Sequence, residues 1–280
     1  MFTNKTVLIT GGSSGIGLAL ACQLRQRNAS VIVLSRSGSK LKAACLKIDA
    51  IPGSGSVMSY RADVRSFLQI RQVVRTIEKT HQLDCIINSA GMVQPARFKD
   101  QNLSAFKRAM NANFQGTVNV CKAVAPFMLN RKGGMIVNIG SLAGFIGVYG
   151  YTAYSASKFA VHGFTQALRA EMKPHGVHVM LVAPPDTDTP MLHRERTLMP
   201  PETAAINDSA GMLSAEHVAL QIIHGIKKKR KLVVPGFEGK FAYLASRFIP
   251  GIVDLVMDGK IASVRGKRKN QHKNAANHTA

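Results

Sequence analysis

Residues 6 to 17 read TVLITGGSSGIG, an apolar, β-branched run entering a turn with four glycines, and the chain continues as the helix-like GLALACQLRQR. A strand that passes through a glycine-rich turn straight into a helix is the first half of a β-α-β unit, since a parallel partner strand is reached only by a crossover. Gly11 permits the tight turn, Gly15 lets the backbone approach a pyrophosphate, and Gly17 lets the helix pack closely on the strand. Thr10, Ser13, Ser14 and Ile16 complete the turn, and the positive end of the helix would face phosphate oxygens. Glycines alone are weak evidence, but between a strand and a helix they point to a dinucleotide.

The same alternation continues. TVLIT, VIVLS, SVMSY, LDCIIN, MIVNIG, VHVMLVA and KLVVP are short strand-like runs. Between them lie predicted helices over 15–27, 39–49, 67–80, 103–130, 152–173 and 214–229. This order predicts an α/β fold, a doubly wound parallel sheet with right-handed crossovers. With 280 residues, 46% of them apolar, the chain can bury a full core. The expected organisation is one catalytic domain over residues 1–235 and a basic amphipathic extension over 236–280. Residues 186–214 lack clear periodicity and read as a loop covering a substrate.

Cys22, Cys45, Cys85 and Cys121 stand far apart without a CxxC pair or a histidine cluster, so no metal site is predicted and reduced, buried thiols are expected. No signal peptide precedes TVLIT, which predicts a cytoplasmic, non-secreted protein. The uncharged stretch GGMIVNIGSLAGFIGVYGYTAYSAS is too rich in Gly, Ser, Tyr and Asn for a membrane span. The formal charge of +22 should attract polyanions, and much of it lies in KKKRK (227–231) and RGKRK (265–269). Between these, KFAYLASRFIPGIVDLVMDGKIASV reads as two helical pieces broken at Pro250 and Gly251. Two readings fit them equally: peripheral contact with an anionic membrane, on its cytoplasmic face, or packing on the sheet or a partner subunit. No stacked-aromatic or recognition-helix motif accompanies the charge, so no specific nucleic acid is expected.

After the second strand, Ser35 and Arg36 stand where an NAD site would place an acid; a guanidinium suits a 2′-phosphate, with Lys40 as helper, which predicts NADP(H). Asp63 and Val64, after the third strand, suit an adenine, and Asn88, Ala90 and Gly91 in NSAG form a turn for a ribose. Tyr154 and Lys158 stand four apart at the head of a predicted helix, so both lie on one face, and Ser141 precedes them. A phenol of pKa about 10 needs about 4 kcal/mol of differential interaction to reach neutrality, for which the lysine ammonium is the expected source. Tyr154 would then give its proton to the oxygen of a ketone receiving hydride, while Ser141 holds that oxygen. Tyr151 is a second phenol without a lysine four residues on. Met191, Leu192, Met199, Ile206 and Met212 read as a possible apolar substrate channel or as the loop's own packing.

Together TGxxxGxG, NSAG, Ser141 and YxxxK resemble the short-chain dehydrogenase/reductase family from residue 5 to about 235. The resemblance implies a Rossmann-type seven-stranded sheet of order 3-2-1-4-5-6-7 and a Ser-Tyr-Lys mechanism. It also places a proton-relay asparagine at Asn113, in NFQG, rather than at Asn111. It implies a homodimer or homotetramer paired through the helices of 103–130 and 152–173, and cofactor contacts at Tyr154, Lys158, Pro184, Thr187 and Thr189. Where the family has Pro-Gly after the sixth strand, this chain has Pro184-Pro185, which removes an N–H and fixes φ. PPDTDTP (184–190) is similar to the segment of one subgroup, the 3-ketodihydrosphingosine reductases, which implies an NADPH-dependent reduction of a lipid ketone bearing an ammonium group. Asp186 is the candidate to pair with that ammonium, or else makes turn hydrogen bonds. A 3-ketoacyl-thioester reductase, a hydroxysteroid dehydrogenase, and a non-catalytic NADP-sensing or nucleic-acid-binding protein are the alternatives.

Overall fold

The computed structural model describes residues 2–208 and 211–277, with side chains up to Gly266, so the end of RGKRK lies outside the described side chains. Strands and helices alternate as β1 (Thr6–Thr10), α1 (Gly15–Arg25), β2 (Ser30–Ser35), α2 (Gly38–Asp49), β3 (Val57–Arg61), α3 (Phe67–Thr80) and β4 (Leu83–Asn88). The middle of the chain holds α4 (Leu103–Ala109), α5 (Gly116–Asn130), β5 (Gly134–Ile139), α6 (Thr152–Met172) and β6 (Val177–Val182). Then come β7 (Thr187–Asp188), α7 (Pro190–Arg196), α8 (Pro201–Asn207), β8 (Leu213–Ser214), α9 (Ala215–Lys227), β9 (Leu232–Val233), α10 (Phe237–Phe248) and α11 (Pro250–Asn277).

Seven parallel strands form one sheet of order β3-β2-β1-β4-β5-β6-β9. This is the expected doubly wound order, with β9 as the seventh strand. The two-residue period of each strand divides the core into two layers. Val7 and Ile9 of β1, with Val31 and Val33 of β2, face α1, α2 and α9. Leu8, Ile32 and Leu34 face the opposite side, toward α3, α5 and α6. Burying a strand on both faces explains why these runs are nearly continuous in apolar residues rather than alternating.

Four expectations change. The helix over 103–130 is two helices joined by a π-helical turn, Met110–Gln115, which holds Asn113 inward. Residues 186–214 are not a plain loop but carry α7, α8 and the short β7–β8 pair. Helices this short are one or two turns long, so a 3.6-residue pattern has little length in which to appear. All four cysteines are free, but only Cys85 and Cys121 are buried, and burial pushes both thiols up to about 12; Cys22 and Cys45 are half-buried. The break between the last two helices falls at Ile249, and Pro250 opens α11, a position where its missing N–H costs nothing.

The crossing of α1 over β1 depends on Gly17, where an added Cβ would lie 2.5 Å from the Gly11 carbonyl oxygen. Gly17→Ala should destabilise the protein by about 1–3 kcal/mol, read as a lower urea midpoint at constant m-value. Gly163→Ala, in open space within α6, should instead gain up to about 1 kcal/mol.

Candidate active site

β1 and β4 are neighbours whose connections leave to opposite sides, so a crevice opens at their carboxyl ends. Thr10 pairs with Asn88 there, and the Thr10 hydroxyl accepts from the Ala90 N–H at 3.2 Å, tying the glycine turn to the NSAG turn. Gly11 has φ +69° and lies so close to Ala90 that a Cβ would stand 2.9 Å from its backbone. Gly15 has φ +53°, with the Thr189 methyl 3.0 Å from where its Cβ would be. No side chain caps α1 and no acid stands in its first turn. Its first N–H groups therefore remain for an anion, and the missing Cβ atoms let Ala90 and Thr189 close in on the turn.

A cavity of about 920 Å³ runs from this turn to the far side of Tyr154. Gly11, Ser13, Ser14, Gly15 and Ile16 line its dinucleotide end, with Ser35, Arg36 and Lys40 beside them. Val64, Ala90 and Gly91 border its middle, and Ser141, Tyr154, Lys158, Pro184, Asp186, Thr187 and Thr189 its reactive end. The residues present fit a nicotinamide dinucleotide: an uncapped helix, two left-handed glycines, and a basic pair after β2.

Five predicted residues do not line the cavity. Thr10 and Gly17 support the turn from beneath. Asp63 is held by Arg65, whose Nη2 lies 2.6 Å from Oδ2, and this hydrogen bond keeps its carboxyl below the usual range. Its acceptors are directed at a neighbour two residues on rather than into the crevice. Asn88 is buried and donates to Asn138 at 2.9 Å, so its side chain joins β4 to β5 instead of reaching a ribose. Asn113 is buried too: Oδ1 accepts from the Met92 N–H at 2.7 Å, and Nδ2 donates to the Met92 carbonyl and the Ser157 hydroxyl, both at 2.9 Å. In this structure it positions the NSAG turn against α6, and a relay role needs more than its side chain.

Tyr154 and Lys158 do share one face of α6, with the ammonium 5.6 Å from the phenol ring centre. Lys158 is buried and donates to the Ile139 carbonyl at 3.0 Å; burial lowers its pKa to about 8. Tyr154 departs from expectation, because burial raises its pKa above the usual phenol value. The Ser141 hydrogen bond works against that rise, and the Glu195 and Asp186 carboxylates add to it. Without a bound cofactor the polypeptide thus holds the proton on Tyr154, the state a proton donor requires. Ser141 also caps the turn after β5, its hydroxyl accepting from the Ala143 N–H at 3.1 Å.

PPDTDTP folds as the cover of this site. The Pro184 carbonyl accepts from the Leu142 N–H at 3.1 Å. The Thr187 hydroxyl donates to the Pro185 carbonyl at 2.9 Å, and Thr189 caps α7 through the Leu192 N–H at 3.2 Å. Met191, Leu192 and Ile206 line the cavity as an apolar channel would require. Met199 and Met212 do not; Met212 is 49% exposed. Sequence reasoning passed over Glu195, Asn207 and most of Tyr151's role. The Tyr151 hydroxyl donates to Glu195 and accepts from Asn207 at 2.8 Å, and its ring packs edge-on against Tyr154 at 5.6 Å. Glu195 sits in a helix too short to show its facing, so only the fold brings it to Tyr154.

The buried ammonium of Lys158 should cost stability. Its folded pKa, about 8, is below the ordinary 10.5, so the penalty is full below pH 8 and relieved as pH rises toward 10.5. Lys158→Met should therefore stabilise the cofactor-free protein by about 3 kcal/mol at pH 7. That gain should vanish by about pH 10.5 in urea unfolding of the two proteins side by side.

Residues 5–199 match the family model for short chain dehydrogenases. The chain is 38% identical over 221 residues to a bovine (Bos taurus) 3-ketodihydrosphingosine reductase, covering 78% of this chain and 67% of that one. It is 39% identical over 246 residues to a 3-dehydrosphinganine reductase of Arabidopsis thaliana, covering 87% and 74%. A solved short-chain dehydrogenase from Sphingobium yanoikuyae, in complex with NADPH, superposes with a TM-score of 0.74 at 25% identity, covering 92% of this chain and 95% of that one. The chain belongs to the short-chain dehydrogenase/reductase family, whose members are nicotinamide-dinucleotide-dependent oxidoreductases acting on a ketone or hydroxyl group.

Proposed function

We propose that the protein reduces the ketone of a long-chain lipid with NADPH, and that this substrate is 3-ketodihydrosphingosine, reduced to dihydrosphingosine. The observation that carries the reading is the continuity of the reactive end of the cavity with an apolar cleft between α10 and α11, lined by Ala242, Ala245, Ile252, Val253 and Val256. A polar head at Tyr154 and a hydrocarbon chain in that cleft match the two ends of such a molecule. The names of the bovine and Arabidopsis relatives support the same substrate.

A bound nicotinamide supplies the hydride. Tyr154 donates its proton to the carbonyl oxygen as negative charge develops there, and Ser141, whose hydroxyl favours the phenolate form of Tyr154, steadies the same oxygen. Lys158 stands behind the phenol as the cation that favours the phenolate left behind. Arg36 and Lys40, at the dinucleotide end of the cavity, suit a 2′-phosphate.

The outer face of α10 and α11 supports peripheral contact with the cytoplasmic side of an anionic membrane. Leu244, Phe248, Ile249 and Leu255 are 50%, 75%, 47% and 72% exposed and stand apart from the cavity lining, and Lys240, Arg247 and Lys260 lie on the same two helices. No described helix is long and apolar enough to cross a membrane. Pairing of subunits through α4, α5 and α6 belongs to the same reading.

Purified protein assayed with NADPH and NADH against 3-ketodihydrosphingosine, an acetoacetyl thioester and a steroid panel tests the proposal. The sphingoid ketone with NADPH should give the highest kcat/KM, and Tyr154→Phe should lower kcat by about 10²–10⁴-fold. Arg36→Ala should weaken NADPH by about tenfold or more and NADH much less. A thioester or steroid turned over best, or no preference for NADPH, overturns it.

A further inference from the structure

We propose that Asp186 and Glu195, set by Tyr151 and Asn207, form a cation subsite beside Tyr154 that selects a ketone with an adjacent amino group over a plain ketone. The inference rests on the proposed substrate class and names the part of the site that reads its amine.

In 3-ketodihydrosphingosine the amine is on the carbon next to the carbonyl. Once the carbonyl oxygen meets Tyr154, the ammonium must therefore lie within a few ångströms of that phenol. Both carboxylates face this region. Asp186 lines the cavity with its Oδ2 buried and accepting no hydrogen bond, while Asn207 favours the charged form of the same carboxylate. Glu195 accepts from Tyr151, whose ring packs edge-on against Tyr154 at 5.6 Å, and Asn207 donates to the Tyr151 hydroxyl at 2.8 Å. Asn207 thus steadies the Tyr151–Glu195 arm directly and bears on the charge of the Asp186 arm.

Among the described residues, the cations near the pair are directed elsewhere. Lys158, the buried ammonium of the site, is directed to the Ile139 carbonyl. Arg196, whose charge acts on both carboxylates, pairs with Asp208 at 3.5 Å, and Arg194, which also lines the cavity, donates to the Pro190 carbonyl at 3.0 Å. In a chain with 37 lysines and arginines and only 15 acids, two acids stand together in the reactive cavity. An unpaired buried carboxylate is costly, and a substrate ammonium offsets that cost. Burial accordingly holds Asp186 at about 6 and Glu195 at about 7, both above the usual carboxylate range, ready to ionise fully when a cation arrives. The pair has a second effect. Both carboxylates hold the proton on Tyr154, and an ammonium between them cancels that field, so binding the amine also eases proton transfer.

The subsite is tested on the enzyme saturated with NADPH, using the alcohol 2-aminooctan-3-ol and its amine-free match octan-3-ol as dead-end ligands in calorimetry. Wild type should bind the amino alcohol at least about tenfold more tightly. Asp186→Asn and Glu195→Gln should each remove most of that preference, with circular dichroism confirming that both fold. Equal affinity for the two ligands in wild type, or a preference that survives both substitutions, overturns the proposal. The wild-type comparison needs neither variant and no turnover. Failure to reduce 3-ketodihydrosphingosine with the amine preference intact would therefore count against the proposed function and not against the subsite.

Discussion

Thr10 pairs with Asn88 where the order of the sheet turns back, and from that pair two chains leave side by side, one into the glycine turn and one into NSAG. The approach of Gly11 to Ala90 closes the gap between them and leaves no volume for a side chain. Everything functional is then placed by distance from this contact. The uncapped end of α1 lies on one side. Asn113 reaches the NSAG turn through Met92 and anchors it to Ser157 on α6, the helix of Tyr154 and Lys158. The cofactor crevice and the reacting pair are therefore joined by backbone contacts and one buried asparagine rather than by a flexible hinge.

Electrostatics give the site two ends of opposite kind. Arg36 and Lys40 extend the positive character of the whole surface into the dinucleotide end. Around Tyr154 the balance reverses, because Asp186 and Glu195 are close and Lys158 is half-spent on a carbonyl. A buried phenol in such surroundings keeps its proton, the form a proton donor requires.

The sheet was legible because its strands are buried on both faces, and runs such as VIVLS and MIVNIG announce that directly. The glycine turn and the Tyr154–Lys158 spacing were legible because both are local: each lies within one turn and one helix. Legibility failed where a residue's partner is far away in sequence. Asn88 reads as a turn residue until Asn138, fifty positions on, takes its side chain. Asp63 reads as an adenine acceptor until Arg65 curls back upon it. Glu195 carries no local signal at all, and only the fold of the cover brings it to Tyr151. The π-turn at Met110–Gln115 was hidden for another reason: one wide turn does not disturb the apolar pattern of the helices on either side.

The cover over the reactive end is fastened from outside. Glu202 of α8 is 3% exposed and held by Arg97 at 3.0 Å, and Arg265 of α11 reaches the same carboxylate at 3.9 Å while lying over the Tyr149 ring. Ala242, Ala245, Val253 and Val256 of α10 and α11 line the cavity, while Phe248 and Leu255 stand exposed on the same helices away from it. On the proposed reading a hydrocarbon tail passes between two apolar surroundings and never enters bulk water. Its arrival is then a partition between phases, governed by the amount of interface the enzyme occupies and not by the dissolved concentration of its substrate.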